Sequence, residues 1–127
     1  MTIMDKKKIL VIEDEKDQRV NTCFVLQQEG YDVIDADDGL KGLEMAKAYT
    51  PDLVICDLNL PSLTGYEVID KIREDPEISN MPVIILSVFP QPDNLDIALR
   101  LKAQDYVVKP FNFKDLLARV KRCLPHS

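Results

Sequence analysis

Four apolar residues, Leu53-Val54-Ile55-Cys56, run directly into a single carboxylate, Asp57. An aliphatic run this short, entered after Pro51-Asp52 and left on an acid, has the character of a strand covered on both faces. Asp57 then stands where that strand leaves the core. The pattern recurs along the chain. Ile9-Leu10-Val11-Ile12 stops at Glu13-Asp14-Glu15, Val33-Ile34 with Ala36 is shorter, Val83-Ile84-Ile85-Leu86 stops at Ser87, and Tyr106-Val107-Val108 delivers Lys109-Pro110.

Between these runs the apolar spacing turns helical. Val20, Cys23, Phe24 and Leu26 predict a helix over residues 16–29, stopped by Gly30, and Leu40, Leu43 and Ala46 line a second that ends before Thr50-Pro51. After a loop over 61–65, Val68, Ile69 and Ile72 face inward from a third helix closed by Asp75-Pro76, and Leu95, Ala98, Leu99 and Leu101 are the core contacts expected of a fourth over 93–101. The last helix carries the clearest stripe: Phe113, Leu116, Leu117, Val120 and Leu124, with Asn112 as N-cap, Asp115 three residues on, and Lys121 and Arg122 at the negative end of its dipole. Five buried strands alternating with five amphipathic helices predict an α/β fold, a single doubly wound parallel sheet with helices on both faces and right-handed crossovers.

At 127 residues the chain is read as one domain, 1–127, with its core over about 8–124. A net charge of −6 gives no basic footing for a phosphate backbone, so direct nucleic-acid binding is not expected. Cys23, Cys56 and Cys123 have no metal-ligand spacing and are read as buried small apolar residues. No stretch has the length of a transmembrane helix or a signal-peptide core, and a cytoplasmic location is expected.

Strands one, three, four and five end on Glu13-Asp14, Asp57, Ser87 and Lys109. In a sheet of order 2-1-3-4-5, strands one and three are neighbours at the switch point, so three carboxylates converge there. The acids at 13–15 could also simply cap the first helix. Asp57 is harder to assign a bland role, because a charged group at the end of a buried strand needs a partner. Clustered carboxylates repel unless a cation joins them, and Mg²⁺ suits a hard, all-oxygen donor set. With the cluster neutralised, the Asp57 carboxylate can attack a phosphoryl group and become an acyl phosphate, while the Lys109 ammonium and the Ser87 hydroxyl bind the remaining oxygens.

The stretches ILVIEDE, PDLVICDLNLPSLTGYE, VIILS and DYVVKPF, in this order and spacing over nearly the whole chain, resemble the receiver domain of two-component response regulators. The resemblance implies a flavodoxin-like receiver fold and carries over the strand order 2-1-3-4-5. It makes Asp57 the phosphoacceptor, Asp14 a direct Mg²⁺ ligand, Glu13 a ligand acting mostly through water, and the Asn59 backbone carbonyl the last protein donor. Ser87 becomes the switch hydroxyl, Tyr106 the aromatic switch residue and Lys109 the phosphate-pairing lysine, with a cis Lys109-Pro110 bond. The implied partners are a histidine kinase or histidine phosphotransfer protein and a downstream protein target. That target is met through a surface of helix four, strand five and helix five on which Arg100, Lys114 and Arg119 are expected to be exposed. The domain is expected as a monomer or a phosphorylation-dependent dimer that catalyses only its own phosphoryl transfer and autodephosphorylation.

The same pattern suits a receiver excised from a longer regulator such as a transcription factor, or a pseudo-receiver that signals by binding alone. An aspartyl-phosphate phosphatase would need a second Asp two residues after the nucleophile, where this chain has Asn59, and a flavin-binding relative would need a Ser/Thr/Gly-rich phosphate loop after strand one. Against the family pattern, Glu13 replaces the commoner Asp, Val88 and Phe89 are bulky neighbours of Ser87 expected to slow dephosphorylation, Pro90 and Pro92 stiffen the following loop, and Lys102 stands where Gly is usual. His126 is read as a solvated tail residue.

Overall fold

The computed structural model describes residues 6–88 and 93–124, with only the backbone of 93 and 94. Phe89, Pro90, Pro92 and His126 lie outside the described residues. Ten elements alternate: β1 (Lys8–Ile12), α1 (Lys16–Gln28), β2 (Asp32–Ala36), α2 (Gly39–Tyr49), β3 (Leu53–Asp57), α3 (Gly65–Glu74), β4 (Val83–Ser87), α4 (Asp93–Leu101), β5 (Asp105–Val108) and α5 (Phe113–Cys123). The strands form one parallel sheet in the order β2-β1-β3-β4-β5, as expected.

Because side chains alternate along a strand, each of the central strands feeds two cores. Leu10, Ile12, Val54, Cys56, Val83 and Ile85 pack with Leu43 and Ala46 of α2, Val68, Ile69 and Ile72 of α3, and Ala98 and Leu101 of α4. On the opposite face Ile9, Val11, Leu53, Ile55, Ile84 and Leu86 meet Leu26 of α1 and Leu116 and Val120 of α5. Each fully buried Leu or Ile contributes roughly 1.5–3 kcal/mol, which makes the sheet the rigid frame of the molecule.

The helix ends follow local chemistry. Gly30, at φ 97°, closes α1 with Gly30 N–H donating to Gln27 O and Tyr31 N–H to Leu26 O. Thr64 and Glu67 form a reciprocal capping box at α3, and Asn112 Oδ1 accepts from Asp115 N at 2.7 Å to start α5. Lys102 occupies the left-handed region at φ 56°, so the turn after α4 keeps a glycine-like conformation without a glycine. The Lys109-Pro110 bond is cis, as the resemblance implies.

Several expected core contacts point outward. Val20 and Phe24 are 51% and 58% exposed, because α1 turns Thr22 and Leu26 inward and the four-residue apolar pair lies on the other side. Leu40 is half-exposed on α2, and Leu95 and Leu99 flank the buried Ala98–Leu101 stripe of α4 in solvent. Of the three thiols only Cys56 is buried; Cys23 and Cys123 sit at the edge of the α1/α5 core. Arg119 is half-buried and paired with Asp105 and Asp115, not free on the surface. Among the described residues no helix is long and apolar enough to cross a membrane.

Candidate functional site

The carboxyl ends of β1, β3, β4 and β5 open into a cleft of about 390 Å³ lined by Glu13, Asp14, Asp57, Asn59, Ser87 and Lys109. Register explains the convergence. Ile12 pairs with Cys56, Asp57 with Leu86 and Ser87 with Val108, so the residues that follow or complete these pairs share one rim. Tyr106 lies further back on β5, half-buried against the α2–α4 core, and does not line the cleft.

Asp57 is 6% exposed and both of its carboxylate oxygens are engaged. Oδ1 accepts from Asn59 N–H at 2.9 Å, and Oδ2 accepts from Lys109 Nζ at 2.5 Å. The same ammonium donates to Glu13 Oε1 at 2.6 Å, so one cation bridges two buried acids. Burial pulls the Lys109 ammonium downward, but its hydrogen bonds to Asp57 and Glu13 outweigh this and hold it above its ordinary value. Glu13, 1% exposed, is pushed from 4.5 to about 7, first by burial and then by neighbouring Asp57, with Lys109 opposing.

Asp14, by contrast, is exposed at the mouth of the cleft. Carboxylate oxygens of Glu13, Asp14 and Asp57 come within 4.8 Å of one another. Three hard oxygen donors, one of them raised toward neutrality by burial and then by its acidic neighbour, fit a divalent cation such as Mg²⁺. The acids at 13–15 do not all act alike. Glu15 alone caps α1, accepting from Asp17 N and Gln18 N, while Glu13 turns into the cleft.

The loop after β3 is held close. An atom added as Cβ at Gly65 would stand 2.1 Å from the Asp57 carbonyl oxygen, and Gly65 N–H donates to Leu58 O at 2.9 Å. Only glycine lets α3 start this near the backbone of Asp57. Ser87 is buried at the end of β4, and its carbonyl accepts from Lys109 N at 2.7 Å, which ties β5's exit to β4's. Val88 stands on the rim, largely exposed. Tyr66 at the start of α3 also lines the cleft, and Arg19 of α1, to which no motif points, donates to the Glu13 carbonyl. Arg19's role depends on its reach back across a loop, which sequence spacing does not display.

The family model described as response regulator receiver domain matches residues 9–121. Over 121 residues, covering 95% of the chain, it is 41% identical to a probable transcriptional regulator ycf27 of Porphyridium aerugineum, and 37% identical to the alkaline phosphatase synthesis transcriptional regulatory protein PhoP of Bacillus subtilis. The chain spans about half the length of these relatives, 49% and 50%. Among solved structures, chemotaxis response regulator CheY4 of Vibrio cholerae is 30% identical at a TM-score of 0.89, with 94% of this chain and 100% of that one covered.

Proposed function

Given that the chain belongs to the response regulator receiver family, we propose that it takes a phosphoryl group onto Asp57 and that the resulting charge switches its affinity for a partner. One observation carries this reading: the Asp57 carboxylate is buried at the end of a central strand, held on one oxygen by a backbone N–H and on the other by an ammonium, with two more carboxylates within 4.8 Å. Such a group is oriented for attack and shielded from bulk water.

In this reading Glu13, Asp14, Asp57 and the Asn59 carbonyl hold Mg²⁺, with Glu13 acting mostly through water. When bound, the ion supplies neutralisation of the acids and of the incoming phosphoryl oxygens. An Asp57 oxygen forms the new P–O bond as the bond from phosphorus to the donor's leaving group breaks. For a phosphohistidine donor the departing imidazole nitrogen keeps the electron pair and takes up a proton from solvent. Lys109, released from its pairing with Asp57, follows the charge onto a phosphoryl oxygen, and the Ser87 hydroxyl binds another. Ser87's movement makes room for the Tyr106 ring to turn inward, which alters the surface of α4, β5 and α5. Chemistry of this kind turns over only on the domain itself, so the protein is a signalling module and not an enzyme toward an external substrate.

The donor in this reading is a histidine kinase or histidine phosphotransfer protein, and the recipient of the signal is a protein. The acidic surface offers no footing for nucleic acid, so contacts of that kind belong to another part of a longer regulator or to another molecule. Three unpaired thiols suit a reducing compartment, the cytoplasm. Intact-mass analysis after incubation with acetyl phosphate tests the proposal. A gain of one phosphoryl group that requires Mg²⁺ and is absent in Asp57→Asn is expected; a folded protein that gains none is a pseudo-receiver instead.

A further inference from the structure

Arg19 is a cation of α1 whose side chain is turned away from solvent, only 16% exposed. Its guanidinium spans the gap between β2 and the β1–α1 loop. Nε donates to Asp35 Oδ2 at 3.0 Å, and one terminal nitrogen donates to the Glu13 carbonyl at 3.0 Å and the Asp14 carbonyl at 3.5 Å. Those two carbonyls belong to residues that have left the sheet, and the planar fork satisfies both from one side.

Glu13 is thereby fixed at both backbone groups, since its N–H donates to Ala36 O at 3.1 Å. Its side chain can then be held under the loop, with Oε1 on Lys109 and Oε2 accepting from Glu15 N–H at 3.3 Å. The Asp14 carboxylate is exposed, and the main chain that carries it sets what its rotamers can reach. Arg19, braced by Asp35, is hydrogen-bonded to that main chain at both carbonyls.

We propose that Arg19 is a positioning residue that holds the Glu13-Asp14 backbone, through its two carbonyls, in the orientation that lets both acids serve one Mg²⁺. This rests on the reading of the cleft as a metal site. Charge and position make opposite demands. Removing a nearby cation by charge alone tightens binding of a metal ion, whereas losing the brace weakens it. Arg19→Lys separates the two further, because lysine keeps the charge but cannot span Asp35 and both carbonyls.

Mg²⁺ affinity measured by calorimetry on wild type, Arg19→Met and Arg19→Lys is the test, with Arg73→Met as a control for lost stability. Arg73 donates to the carbonyls of Ser79, Met81, Leu101 and Lys102, so its loss unsettles the fold without touching the β1–α1 loop. Both Arg19 variants are expected to bind Mg²⁺ about tenfold more weakly, and Arg73→Met as wild type does. Arg19→Met binding Mg²⁺ as tightly as wild type, or more tightly, overturns the proposal. A second readout needs no metal: in EDTA, amide exchange at Glu13 and Glu15 should speed up about tenfold more in Arg19→Met than in Arg73→Met. Equal exchange in the two also overturns it. Wild type that takes up no Mg²⁺ would refute the reading of the cleft, and the exchange measurement would still decide the claim about Arg19.

Discussion

Replacing Glu13 by Gln should stabilise the metal-free protein, and only above a defined pH. Glu13 is 1% exposed and raised from 4.5 to about 7, chiefly by burial. Between those values the folded protein keeps a proton that the unfolded chain has released, so stability falls as pH rises through the window and is level above it. At ~1.36 kcal/mol per tenfold change, the charged side chain costs about 3 kcal/mol by pH 8. Gln carries no such titration, and its amide oxygen can still accept from Lys109. The help that Lys109 gives the charged form is already contained in that cost, so the gain at pH 8 should be about 3 kcal/mol. Urea unfolding in EDTA, followed by circular dichroism because the chain has no Trp, gives the comparison at pH 5 and pH 8. The wild type should lose more stability than Glu13→Gln across that interval, and added Mg²⁺ should help the wild type more. Parallel losses in the two proteins would refute the claim that Glu13 is held charged at a cost.

Gly65→Ala should lose about 2–3 kcal/mol and phosphorylate poorly, since the new methyl meets the Asp57 carbonyl at 2.1 Å; wild-type unfolding midpoints would count against the tight approach. Lys102→Gly should gain about half a kcal/mol, because relief of the strained φ of 56° exceeds the added freedom of the unfolded glycine; thermal unfolding reads this, and a loss of stability would contradict it. Val88→Ala should shorten the life of the phosphorylated form by opening the rim of the cleft, measured as the decay of the phosphoryl mass after the donor is removed; an unchanged rate would show that Val88 does not obstruct water.

The strand ends were legible because their signal is local. An aliphatic run that stops on Asp57, Ser87 or Lys109 declares both the strand and the atom at its exit, and parallel register then brings the exits together. The helix faces were less so. In α1 the pair Val20 and Phe24 has the spacing of a core stripe, yet the buried face carries Thr22, whose hydroxyl accepts from Gln18 Nε2 at 3.4 Å. Only the packing of α1 against β1 and β2 selects between the two faces. Leu95 and Leu99 of α4 pose the same ambiguity, as a short helix needs few buried residues and Ala98 and Leu101 suffice. Arg19 was invisible for a different reason: a hydrogen bond from a helix side chain to a carbonyl six residues earlier leaves no trace in spacing.

The central claim is that the phosphoryl group resides on one carboxylate, and it is tested most directly by finding where it sits. After phosphorylation with acetyl phosphate and Mg²⁺, borohydride reduces an acyl phosphate to an alcohol, and peptide mass mapping locates the altered residue. The account expects the reduced side chain at position 57 and nowhere else. Reduction at Glu13 or Asp14, or an acid-stable phosphate on Ser87, would contradict it.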